Sequence, residues 1–366
     1  MLPRHPTEIE WSDSLLPPPS PSPPTPAVVA RVRSLFGPIP PWIPSLQWCP
    51  WVVETIVDAC AIRPVHFDFD LVALLHLVIA QENSCRYCYG TARVMLQILG
   101  FSEDAVRTLE RDMLTSRVSP RNRAALDYAR QLSRADPRPG AAQARVLAEF
   151  GFDEAAVAEL AAFTAMWLTA TRITTLLAIP PAADHPPNSW WLRLTRPILA
   201  HTLRRQLREF PSAVPDPAKR ITAFDPLIAT LGALPAGASL RKILDDAFGD
   251  GPLPRRTRLI VGAVIGRALG CDITLQLLQS LLAADGVEPP AVEDMLARLD
   301  ADWLDEREHL LLRAARDTVH IHQPLTVQRR MFEVRDRLAP AEFIDFVGVA
   351  SVANGLARLG VLLQRC

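Results

Sequence analysis

Lysine is nearly missing from this chain. Lys219 and Lys242 are the only two in 366 residues, and almost all basic charge is arginine. Tyrosine occurs three times and glycine sixteen times, and alternating apolar runs are few, which excludes an all-β protein. No stretch reaches the ~18–20 uninterrupted apolar residues of a membrane-spanning helix. The N-terminal MLPRHPTEIEWSDSLL has no apolar core before a small-residue cleavage site, so the sequence predicts no secretory signal. Six cysteines are too sparse for a disulfide scaffold. With 39 basic and 40 acidic residues, no charge excess exists to neutralise a nucleic-acid backbone. Neither the phosphate-binding nor the dinucleotide-binding glycine motif occurs, nor does the serine-nucleophile elbow. These absences leave a cytoplasmic, largely helical protein with reduced thiols, no cofactor, no membrane span and no nucleic-acid partner. Arginine in place of lysine, with abundant Ala, Leu and Pro, reads as a GC-rich bacterial composition.

What is present is apolar residue, at 49%, and proline, at 34 positions. The length suggests two domains at ~100–200 residues each. Residues 17–26, PPPSPSPPTP, cannot build a core, because proline fixes φ and lacks an amide donor. The expectation is a disordered tail over 1–26, with a proline-groove ligand as the alternative. An apolar arm containing Phe36, Trp42, Trp48 and Trp51 follows, ending in a short helix near Val52–Cys60. From Asp70 the pattern is helical. LVALLHLVIA is apolar nearly all round and predicts a buried helix. Further helices are predicted near 86–99, 103–115, 120–133, 140–149 and 154–177, with Gly100 as a C-cap and Ser102 as an N-cap. IPPAADHPPNS at 179–189 reads as linker. The basic amphipathic segment after it, with Arg193, Arg196, Arg204, Arg205 and Arg208, reads as a connecting helix; a membrane-surface helix is the alternative.

The chain also repeats itself. At a constant offset of 186, Val78-Ile79 falls on Val264-Ile265, Cys85 on Cys271, Gly100 on Gly286, Arg121 on Arg307 and Arg172 on Arg358. Matching Cys, Gly and Arg in one register points to two copies of one helical domain. Copy one spans 27–180 and copy two 217–366, joined by linker and connecting helix over 181–216.

Copy one carries Asn83-Ser84-Cys85-Arg86-Tyr87-Cys88. A Cys-x-x-Cys opening a helix meets free amide donors and positive partial charge, which favour a thiolate. One sulfur can then attack and the other resolve the mixed species as an internal disulfide, and Arg86 adds positive charge. The alternatives are two inert buried cysteines, or a four-sulfur metal site completed by Cys49 and Cys60. His309, His320 and His322 form a second weak metal pattern.

An apolar helix, NSCRYC, a helix stopped at Gly100 and a helix opening Ser102-Glu103-Asp104 together resemble the alkylhydroperoxidase D (AhpD)-like/carboxymuconolactone decarboxylase superfamily. The resemblance covers most of both copies. It implies an all-α fold of two tandem AhpD-like helical domains, with oligomers common. It implies peroxide or disulfide reduction through Cys88 as the attacking thiol and Cys85 as the resolving one, recharged by a dithiol protein. The family's relay is absent: Ala92 stands at the histidine position and Ala73 at the glutamate position. Glu82, Tyr87, Tyr89 and His76 are candidate substitutes; His76, half a turn out of phase with Cys85, also reads as a core histidine. In copy two Thr274 replaces the second cysteine, Leu278 the histidine and Leu259 the glutamate, so that copy is expected to lack a redox site. The leading expectation is therefore a thiol-dependent oxidoreductase. An inactive scaffold or regulatory protein is the alternative, and a decarboxylase-like enzyme a weaker one.

Overall fold

The computed structural model describes residues 11–111, 118–136, 139–181, 190–210, 213–321 and 324–365. It is all-α, with no strand among the described residues. The first half begins with α1 (Pro26–Phe36), α2 (Ile43–Leu46) and α3 (Pro50–Cys60). It continues with α4 (Phe69–Glu82), α5 (Arg86–Leu99) and α6 (Glu103–Arg111), then α7 (Pro120–Arg134), α8 (Ala141–Glu149) and α9 (Glu154–Leu176). α10 (Trp190–Glu209) lies between the halves in sequence and packs on α5 and α1 of the first half. The second half comprises α11 (Asp225–Ala229), α12 (Pro235–Phe248), α13 (Arg255–Ala268), α14 (Asp272–Ala284), α15 (Pro289–Arg298), α16 (Glu306–Asp317), α17 (Pro324–Arg335) and α18 (Pro340–Leu359).

The helix starts repeat with the sequence register. Shifted by the offset that aligns Cys85 with Cys271, the first residues of α4, α5, α6, α7 and α9 fall on those of α13, α14, α15, α16 and α18. The local causes repeat less faithfully. Asp68 caps α4 by accepting the Leu71 amide at 2.8 Å, whereas Pro254 precedes α13 without a side-chain cap. Gly100 ends α5 in the left-handed region (φ 104°), and Gly286, one residue past the α14 cap, has φ 85°.

α9 and α18 are buried along nearly their whole length and pack on each other at the centre. The segment Pro340–Leu363 is long and apolar enough to cross a membrane, but its apolar 18-residue window is 94% buried inside the protein. The contact between the two central helices is self-matching. Thr169 meets Gly355, its own counterpart: a Cβ on Gly355 would sit 2.5 Å from Thr169 Oγ1 and 2.9 Å from the Ala165 carbonyl oxygen. Arg172 donates to the carbonyls of Thr318 and Val319. Arg358 donates at 2.9 Å to the carbonyl of Ser133, the counterpart of Val319 in the repeat. Each half's closing arginine thus bonds the same carbonyl position of the other half. Residues meeting their own equivalents, with contacts exchanged reciprocally, are the mark of an isologous two-fold interface. Both arginines are buried, and most of their bonded donors meet backbone oxygens that have lost water, while Arg172 Nε has no partner among the described residues. One continuous hydrophobic core runs through both halves.

The N-terminal segment differs from its expectation as a disordered tail. Leu15 is buried, its amide donates to the Leu177 carbonyl at 3.0 Å, the Ser20 amide donates to Pro44, and the Trp48 indole donates to the Pro18 carbonyl at 2.8 Å. Proline lacks a donor, but its carbonyl still accepts. Residues 11–20 therefore lie along the protein through their non-proline amides, one leucine and the proline carbonyls. Residues 1–10 are outside the described set, as are His322, Cys366 and most of the expected linker.

Candidate functional site

α4 ends at Glu82, and a turn through Asn83 and Ser84 delivers the chain to α5. Ser84 sits at φ 50°, a left-handed conformation unusual for a side chain. Its neighbours hold it there. The Ser84 hydroxyl donates to the Ile321 carbonyl of the second half at 3.2 Å, and Asn83 Nδ2 donates to Ile79 at 2.8 Å. This turn places Cys85 at the N-cap of α5, where its sulfur accepts the Cys88 amide at 3.2 Å. The cysteine thus occupies a position usually held by Ser, Asp or Asn, facing the positive end of the helix.

Thr174, from α9, lies against both sulfurs: its Oγ1 is 3.0 Å from Cys85 Sγ and 3.4 Å from Cys88 Sγ. The same hydroxyl is 2.9 Å from the Thr171 carbonyl, so its proton can turn to that oxygen or to sulfur. Burial by itself raises the Cys85 thiol pKa. Hydrogen bonds from Cys88, Thr174, the Cys88 amide and Thr175 outweigh it, and the net shift is downward. Cys88 is pushed well up, first by burial and then by its hydrogen bond to Cys85 and the charge there. The pair is therefore asymmetric: hydrogen bonds lower the Cys85 thiol pKa, and burial raises that of Cys88. The sequence-based expectation has Cys88 attack and Cys85 resolve, whereas the capping geometry favours charge on Cys85. The helix-capping geometry is the cause: the first sulfur of a Cys-x-x-Cys receives the amide, and the second sits inside the helix with its own amide already used. Both sulfurs are shielded, Cys85 at 1% and Cys88 at 8% exposure.

The other candidate residues scatter. Arg86 does not cradle a sulfur. Its Nε and Nη2 donate to the Ile179 and Ala178 carbonyls at 3.0 and 2.7 Å, closing the end of α9, and Trp11 lies 4.7 Å from its guanidinium. The Glu82 side chain is covered and turned to α7. It ion-pairs with Arg130, and Arg134 donates to it at 2.6 and 3.0 Å. Tyr87 packs edge-on against Trp42, and its hydroxyl is pushed up to about 12, chiefly by burial and also by the neighbouring thiols. The Tyr89 hydroxyl donates to Glu110 at 2.6 Å, on a different face. His76 stacks on Trp167 with ring centroids 3.7 Å apart and on Phe163 at 5.5 Å, and burial lowers its pKa to about 3. Ala73 and Ala92, at the relay positions, are both buried.

The second half keeps a remnant. Cys271 precedes α14, 3.3 Å from the Thr274 hydroxyl that stands in the place of Cys88, and Gly360 stands where Thr174 does. No cluster of three or more metal-ligating side chains occurs among the described residues. Cys49 donates to Asp345 at 3.4 Å, and His309 is bonded to Asp300 at 2.7 Å. Reasoning from sequence missed Thr174 and Thr175. Their signal was a difference between copies: a hydroxyl pair in the first half where the second has Gly360-Val361.

Comparison with protein-family models, with curated proteins and with solved structures finds no match to this chain.

Proposed function

We propose that the protein is a thiol–disulfide oxidoreductase working through Cys85 and Cys88. The observation that carries this reading is geometric: Cys85 Sγ caps α5 through the Cys88 amide at 3.2 Å, and Thr174 Oγ1 lies 3.0 Å from Cys85 Sγ and 3.4 Å from Cys88 Sγ. In the forward step the Cys85 thiolate attacks one sulfur of a disulfide, forming a mixed disulfide and expelling the other sulfur as thiolate. The charge that held the Cys88 proton is then gone, because Cys85 was one of the causes raising it. Cys88 loses its proton, attacks Cys85 and releases the second thiolate. The protein ends as the Cys85–Cys88 disulfide and the substrate as two thiols, and a dithiol protein returns the pair to its reduced state.

Peroxide reduction through the same pair is the slower reaction. It expels an oxygen leaving group that needs a proton, and alanines occupy the positions where the resembled family keeps its histidine and glutamate. A reading as a scaffold that keeps the fold without turnover draws on the near-complete burial of both sulfurs.

Intact-mass measurement after mild treatment with a small disulfide separates the two. Wild type is expected to lose two hydrogens, Cys88→Ser to retain a stable adduct on Cys85, and Cys85→Ser to stay unmodified. An unmodified wild-type chain refutes the oxidoreductase and leaves the scaffold.

A further inference from the structure

The first half contains a cavity of about 340 Å³ between the α3–α4 connection, α4 and α10. Its volume falls in the range of small-molecule sites. Ile62, Phe67, Phe69 and Val72 supply apolar wall, and His76, Cys60, Arg63 and Arg204 supply polar groups. His76 is 6% exposed, and its Nε2 is buried with no hydrogen-bond partner. A buried polar atom left unpaired forfeits the hydrogen bonds that water gave it, so one lining a cavity marks a place that a ligand atom completes. With its pKa lowered to about 3, the ring is neutral at neutral pH and bonds without charge. Charge sits elsewhere on the wall. Arg204 bonds Asp70 at 3.1 Å, and Asp68 accepts the Leu71 amide. Arg63 donates to the Phe210 carbonyl at 3.1 Å but forms no ion pair among the described residues.

The second half shows what a filled version looks like. Arg258 stands at the position of Val72, Phe248 at that of Ile62 and Gly262 at that of His76. Arg258 donates to the Asp246 and Gly249 carbonyls at 2.9 and 3.3 Å, the positions equivalent to Cys60 and Arg63. Gly262 makes room for Phe248: a Cβ there would lie 2.8 Å from its ring. The same framework is thus plugged in one half and open in the other.

We propose that this cavity binds a small organic monoanion with a flat apolar body and a hydrogen-bonding group at its far end. Arg63 holds the anion, the aliphatic and aromatic wall holds the body, and His76 Nε2 bonds the far group. Cys60 lines the cavity, and burial together with the neighbouring Cys85 pushes its thiol well up. Binding rests on the cavity alone and is independent of the redox reading.

Calorimetric titration of the full-length chain tests it, with 4-hydroxyphenylacetate as probe and phenylacetate, neutral 4-ethylphenol and cationic tyramine as controls. One 4-hydroxyphenylacetate is expected per chain, at least tenfold tighter than 4-ethylphenol or tyramine. Arg63→Gln is expected to erase the preference for the anion while leaving 4-ethylphenol unchanged. His76→Phe is expected to erase the preference over phenylacetate. Val72→Arg, which imports the plug of the second half, is expected to abolish binding, and Cys85→Ser/Cys88→Ser to leave it intact. Absence of saturable binding up to about 10 mM, equal binding of the three charge types, or an unaltered preference in Arg63→Gln overturns the proposal. The Arg63 variant, at an exposed position, keeps the test decisive should Val72→Arg not fold.

Discussion

The two halves solve one structural problem in different ways. Each long central helix carries a buried acid at the same position, Glu159 on α9 and Asp345 on α18, and each acid collects amides from the loop before the first repeated helix. Glu159 accepts the Val65 and His66 amides at 2.7 and 2.8 Å. Asp345 accepts the Leu253 amide at 2.9 Å, and also Trp51 at 2.8 Å and the guanidinium of Arg258 at 2.9 and 2.5 Å. The second half thus neutralises its acid with a fully buried arginine, which fills the interior. The first half relies on amides and on His66, whose Nδ1 lies 3.1 Å from the acid, and leaves the arginine's volume open. The thiol pair, its threonine and the cavity all belong to that open half. One half of the repeated framework is filled by Arg258 and Phe248, and the other keeps a cavity and a thiol pair.

The largest effect should come from breaking the plug. Arg258→Ala leaves Asp345 buried with its charge uncompensated, at a cost of about 3–5 kcal/mol, measurable by urea unfolding. The matching change, Val72→Ala at the cavity wall, should cost well under half as much. Equal losses would remove the contrast between the halves.

Acid should discriminate them next. His76 has a folded pKa of about 3 against an ordinary value of about 6.5. The unfolded chain therefore takes up a proton on falling below pH 6.5, before the native state does. Stability is fully present above about pH 6.5 and is lost as pH falls towards 3, by about 2 kcal/mol between pH 7 and pH 5. His76→Phe should flatten that part of the profile. Gly262 gives the second half no equivalent. An unchanged profile would show that His76 does not report on the first half's core.

At the pseudo-two-fold, Gly355→Val should force Thr169 and the α9 backbone apart and cost about 1–3 kcal/mol. Thr169→Gly, the reciprocal change, should cost less, since nothing is then compressed. Thermal unfolding of the two variants orders them.

The smallest expected effect is on chemistry. Thr274→Cys rebuilds a Cys-x-x-Cys in the second half, but Gly360 supplies no hydroxyl there. Its pair should alkylate with a midpoint pH above that of Cys85, and Thr174→Val should move Cys85 the same way. A low midpoint in the rebuilt pair would assign the effect to the helix end alone.

Features with local causes are legible in the chain. The helices at 86–99, 120–134 and 154–176 follow from apolar spacing and from caps at Ser119, Asp153 and Gly100. The duplicated register follows from Cys, Gly and Arg at one offset. Less local features mislead. Proline's missing donor predicts a disordered tail, yet its carbonyls accept and Leu15 is buried. Glu82 stands close in sequence to the cysteines, but helix geometry turns it to Arg130 and Arg134. Arg86 sits between the two sulfurs in sequence, but its fork reaches the end of α9.

Helical class, a repeated register and a thiol pair present in only one half are all written along the chain, because periodicity, register and residue identity are properties of the chain itself. Which sulfur the hydrogen bonds favour for charge, which half is open and what the buried arginines bind depend on folding. Those outcomes depend on groups far apart in sequence, Thr174 with Cys85 or Arg258 with Asp345. Burial gives such pairs their strength, and no spacing rule along the chain encodes it.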